Sequence, residues 1–140
     1  MAFEPNVAPF ITGSIQTIEI LDPGLNPVSI IRRSDSWRIR VRWNTNGLFI
    51  PLVNPAATWK ISAYLESFGE HKDVDLPTDQ ETFGPPANAH NYDKTLSFAA
   101  GLAEAGAYRL VVVLTLTSGG MHMPIAAFTE GPMLTFFDAS

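Results

Sequence analysis

One stretch, "WRIRVRW" from Trp37 to Trp43, constrains the fold more than any other. Trp37, Ile39, Val41 and Trp43 hold its odd positions, and Arg38, Arg40 and Arg42 hold the even ones. A period of two marks a β-strand with one dry face, because successive side chains leave an extended backbone on opposite sides. A helix would scatter the three guanidinium groups among the indoles and force charge into the core. The stretch therefore predicts a strand whose odd row is buried and whose even row faces solvent. Two indoles in that row are core, each favourable to bury by a few kcal/mol.

The same period recurs along the chain. "GSIQTIEIL", Gly13 to Leu21, reads as a first strand, closed by Asp22-Pro23-Gly24 with proline and glycine in their preferred turn positions. "VSIIRR" from Val28 gives a short strand and "WKISAYLE", Trp59 to Glu66, a longer one. "KTLSFAA", "AYRLVVVLTLT", "PIAAFTE" and "PMLTFF" supply the rest, and no segment has a sustained helical period. Between Ser67 and Asp93 the alternation fades into an acidic stretch, read as a long loop with room for one short edge strand. Seven to eight short strands separated by turn signals predict an all-β, antiparallel β-sandwich with a long acidic loop. With 140 residues the chain suits one domain, expected over residues 13–140, preceded by an extended arm over 1–12.

Glu104-Ala105-Gly106-Ala107-Tyr108, leading into Arg109-Leu110, resembles the tyrosine corner of immunoglobulin-like sandwiches. The resemblance runs from Trp37 to Phe137, about two-thirds of the chain, and concerns the fold alone. It implies a Tyr108 hydroxyl bonded back to the E–F corner, a tight bend at Gly106 and a core tryptophan, Trp59, on strand C. Leu110 stands where antibody domains carry their second cysteine.

Charge is unevenly spread. Five of the nine basic residues (Arg32, Arg33, Arg38, Arg40 and Arg42) fall within one short span. Six of the fourteen acids (Glu66, Glu70, Asp73, Asp75, Asp79 and Glu81) fall within another. If "WKISAYLE" lies beside the arginine strand, Tyr64 and Glu66 meet the guanidinium groups on one outer face. A basic face and an acidic loop on one small domain invite contact between copies, for which arginine is well suited. Pro5 and Pro9 keep the arm extended, and its Phe3 and Phe10 are apolar anchors for a neighbouring copy. The expected interface is Arg38, Arg40, Arg42, Tyr64, Glu66, Asp73, Asp75 and Asp79, with Phe3 and Phe10 from the arm.

Other chemistries fit less well. A net charge of −5 disfavours nucleic acid, whose phosphates need a basic surface. The chain has no cysteine, so it has neither disulfides nor thiolate metal sites. Counting from Asp73, Thr78 and Pro85 stand where a calcium-binding EF-hand loop requires glycine and glutamate. His71, His90 and His122 lack metal-ligand spacing, although Met121, His122 and Met123 are the soft and imidazole donors a copper ion prefers. No nucleophile elbow, phosphate loop, zinc-protease or dinucleotide motif occurs. No apolar run approaches the roughly 18–20 residues of a membrane helix, and the N-terminus lacks the pattern of a signal peptide. These features predict a cytoplasmic, non-catalytic structural or interaction module. It inserts into no membrane, needs no cofactor or metal, and assembles as a homo-oligomer or with a protein partner. The alternative is a carbohydrate- or anion-binding sandwich using the arginine face and Tyr64, although a small-molecule ligand suits inward-pointing tryptophans poorly.

Overall fold

The computed structural model describes residues 12–46, 57–69, 71–84, 89–118 and 121–138, with backbone alone at 12, 118 and 121–128. The described elements are all strands, nine in number: β1 (Thr12–Leu21), β2 (Ile30–Arg32), β3 (Trp37–Asn46), β4 (Thr58–Ser67), β5 (Val74–Asp75), β6 (Asp79–Thr82), β7 (Ala89–Phe98), β8 (Gly106–Ser118) and β9 (Met121–Phe137). They form two packed sheets. Sheet A has the order β1-β3-β7, and sheet B has the order β2-β9-β8-β4-β5, with β6 on the same edge of β4 as β5. Neighbours are antiparallel except β2, which runs parallel to β9.

The alternation of β3 is realised as expected. Trp37, Ile39, Val41 and Trp43 are at most 1% exposed, whereas the arginines between them reach solvent. The other wall of the core comes from sheet B, through Trp59, Ile61, Leu65, Tyr108, Leu110, Leu114 and Phe136. Trp43 stacks on Tyr92 with ring centroids 5.0 Å apart and meets Trp59 edge-on at 6.1 Å. Trp59 in turn stacks over Phe83 at 6.3 Å. These offset and edge-on geometries suit the aromatic quadrupole, so the indoles bind the two layers as well as filling them. The Tyr92 hydroxyl donates to the Phe83 carbonyl at 2.6 Å, pinning the end of β6 to β7. Burial pushes the Tyr92 phenol above its ordinary range, since a phenolate there would be poorly solvated.

Three departures from the sequence reading have physical causes. "PIAAFTE" and "PMLTFF" belong to one strand, β9, rather than two. The register between β8 and β9 slips by one residue around Gly131-Pro132, so proline occupies a bulge where no ladder hydrogen bond is lost. A Cβ at Gly131 would lie 3.2 Å from the Leu110 carbonyl oxygen, which explains the glycine beside it. The acidic stretch holds two short strands, β5 and β6, and β7 begins at Ala89, five residues before "KTLSFAA". Finally, β3 lies between β1 and β7, so "WKISAYLE" is not its neighbour but part of the opposite sheet.

Candidate interaction faces

The arginine row lies on the outer face of sheet A, and its partners come from that sheet. Arg40 faces Glu19 on β1 and Thr95 on β7, while Arg42 faces Thr17 and Asp93. Arg40 clasps Asp93 with two hydrogen bonds, Nε donating to Oδ1 at 2.8 Å and Nη2 to Oδ2. Arg42 Nε approaches the same carboxylate at 3.4 Å. The Arg40 guanidinium holds the Asp93 carboxyl below the usual carboxylate range, with a smaller contribution from Arg42. Such exposed pairs add little stability, but they leave the row partly neutralised by its own sheet. Glu19 and Asp93 also line the shallow depression beside Arg40, which disfavours a bound anion. Trp37 and Trp43 are sealed inside, so neither offers a platform to a sugar ring.

Tyr64 and Glu66 sit on the far side of the molecule, facing outward from sheet B. Across the ladder Tyr64 meets Val111 and Asp75, and Glu66 meets Arg109. The expected interface residues are therefore divided between opposite faces, and within one chain Tyr64 and Glu66 do not meet the arginine row. The other acids are dispersed along an edge. The Asp73 carboxylate accepts the Ser67 backbone N–H at 2.8 Å. Asp79 and Glu81 on β6 both approach Lys94 Nζ at 3.9 Å. Lys94 belongs to the core-facing row of β7, between buried Tyr92 and Leu96, and an inward lysine on an edge strand resists edge-to-edge pairing.

The tyrosine-corner expectation holds at the level of the bond. The Tyr108 hydroxyl donates to the Glu104 carbonyl at 3.0 Å, and Gly106 takes a φ of 151°, which only glycine adopts freely. His71 closes over this corner, its Nδ1 lying 2.5 Å from Glu104 Oε2. His90 packs against Phe83 at 4.9 Å and Tyr92 at 5.8 Å. Among the described residues no three His, Asp or Glu side chains gather as metal ligands. The side chains of Met121, His122 and Met123, and the arm with Phe3 and Phe10, lie outside the described residues.

One feature escapes sequence reasoning. Six large apolar side chains are exposed among the described residues, and five belong to the outer face of sheet B. They are Ile30 at 61%, Phe68 at 54%, Met133 at 51%, Phe137 at 38% and Tyr64 at 37%. The register gathers them. Ile30 lies beside Thr135, Thr135 beside Ala107, and Phe68 donates its backbone N–H to the Ala107 carbonyl at 3.1 Å. In the next row Met133, Arg109 and Glu66 lie side by side. Arg109 is the centre of this patch, donating from Nη1 to Glu130 at 2.7 Å and standing 5.4 Å from the Phe68 ring centroid. Scattered apolar residues on a surface are ordinary, whereas five exposed on one face around a central charged group make that face a candidate contact surface.

No protein-family model matches this chain, and no curated protein is significantly similar to it.

Proposed function

We propose that the protein is a non-catalytic, immunoglobulin-like interaction module that self-associates through the outer face of sheet B. The strand order supports the immunoglobulin-like reading. β1, β3 and β7 take the places of strands A, B and E, and β9, β8 and β4 those of G, F and C. The Tyr108 bond and the buried Trp59 on β4 agree with that assignment.

The observation that carries the functional reading is the gathering of Ile30, Tyr64, Phe68, Met133 and Phe137 on one face. Removing that surface from water is the main force available to association, at about 25 cal/mol per Å². The arginine row opposite is polar, and Arg40 and Arg42 are already engaged with Asp93, so it contributes charge rather than adhesion.

Light scattering over a dilution series at low and high salt tests the reading. The expected mass is a multiple of the single chain and persists at high salt, because apolar contact is not screened as ion pairs are. A single-chain mass at every concentration and ionic strength sinks the self-association reading.

A further inference from the structure

We infer that the core of the sandwich binds an ordered internal water at one end, held between Thr45 of β3 and His90 of β7 beside the Tyr92 hydroxyl. The site lies between the sheets and does not depend on the self-association reading.

The core-facing row of β3 runs through Trp43 to Thr45, and that of β7 through His90 to Tyr92. The register sets Trp43 opposite Tyr92 and Thr45 opposite His90, so four inward side chains form one block. Tyr92 stacks with Trp43 at 5.0 Å and with His90 at 5.8 Å. Thr45 is 1% exposed, and Trp43 is fully buried. Among the described residues none gives a hydrogen-bond partner to Thr45 Oγ1, His90 Nε2 or Trp43 Nε1, and all three atoms are sealed from solvent. A polar atom left dry in a core is costly, and native interiors answer it with protein groups or with bound water.

The placement of Thr45 and His90 suits one shared water. Side chains of a directly opposed pair begin about 5 Å apart, the span that a molecule making two hydrogen bonds bridges. Tyr92 is the third partner. Burial raises its phenol above the ordinary range, and the Thr45 hydroxyl acts in the opposite sense, which sets the two oxygens near each other. Thr45 makes no aligned hydrogen bond with it, and the Tyr92 proton is committed to the Phe83 carbonyl at 2.6 Å. The Tyr92 oxygen is left as an acceptor. A water here accepts from Thr45 and donates to His90 Nε2 and to the Tyr92 oxygen, which makes about three bonds, the usual number for an internal water.

Other occupants fit less well. Glu81 adds negative potential at Tyr92, which disfavours an anion. One imidazole is too few for a metal ion, and among the described residues no three His, Asp or Glu side chains gather.

Magnetic relaxation dispersion of the water oxygen signal tests the inference, because it registers long-lived bound water and not exchanging hydroxyl protons. Thr45→Val keeps the shape of the side chain and removes its hydroxyl, whereas Thr45→Ser keeps the hydroxyl. The dispersion amplitude should fall by the contribution of one water in Thr45→Val and in Thr45→Val/His90→Phe, and should persist in Thr45→Ser. Thermal unfolding gives a second reading with a sign. If the water is shared, Thr45→Val strands His90 Nε2 and lowers the midpoint by a few degrees, and adding His90→Phe recovers part of that loss. If the atoms lie in a dry core, each single replacement removes an orphan and raises the midpoint. An amplitude unchanged in folded Thr45→Val, or a midpoint raised by both single replacements, overturns the inference. Where the double variant does not fold, the single variants carry the comparison.

Discussion

Ile39→Asp should leave the protein unfolded at neutral pH, while Arg38→Asp in the adjacent position should leave it folded. Ile39 is fully buried, and its ladder neighbours are Ile20 on β1 and Leu96 on β7, both buried. A carboxylate placed there, among buried aliphatic neighbours, must remain charged at a cost of several kcal/mol, or take up a proton. It also removes the packing of a large aliphatic side chain, a further loss of about 2–5 kcal/mol. Together these rival the whole stability of a domain, about 5–15 kcal/mol. Arg38 points the other way, next to Ser97 and Leu21, where substitution is expected to change stability by about 0.5 kcal/mol or less. Circular dichroism of the two variants gives the comparison. A folded Ile39→Asp variant with ordinary thermal unfolding would contradict the inside–outside assignment of β3.

Trp59→Ala is expected to cost about 3–5 kcal/mol and to lower the thermal midpoint by roughly 10–15 °C without altering the fold. Trp59 sits on β4 at the junction of four segments. Its ring meets Trp43 of β3 at 6.1 Å, Tyr92 of β7 at 5.9 Å and Phe83 beyond β6 at 6.3 Å. Truncation therefore opens a cavity between the two sheets that no neighbour can fill, since each is held by its own strand. It also releases Phe83, whose carbonyl anchors the Tyr92 hydroxyl, so the loss includes part of a buried hydrogen bond. Thermal unfolding followed in the far ultraviolet checks this. A drop of only a few degrees would mean that Trp59 is peripheral rather than central to the core.

Which side chains point inward was legible in the sequence wherever alternation was strong. β3 and β4 follow their apolar periods closely, since burial of Trp37, Trp43 and Trp59 leaves no other register open. Which strands are neighbours was not legible, because a period of two describes one strand and says nothing about what lies beside it. The arginine row therefore finds Asp93 on β7 rather than Tyr64 and Glu66. β5 and β6 carry mostly polar residues and join the edge of β4 through backbone pairing, which no hydropathy pattern records. Gly131-Pro132 has the composition of a turn and the structure of a bulge, a choice made by the partner strand. The apolar face had no sequence signature. Ile30, Tyr64, Phe68, Met133 and Phe137 come from separate parts of the chain and share a face only once the register of sheet B is set.

That face, rather than the arginine row, is held to make the contact between copies. The most direct test is the mass in solution of two variants confirmed to be folded, Phe68→Glu/Met133→Glu and Arg38→Gln/Arg40→Gln/Arg42→Gln. The first should fall to a single chain, and the second should keep the mass of the unaltered protein. A single-chain mass for the arginine variant, with the other unchanged, would place the contact on the opposite side of the sandwich.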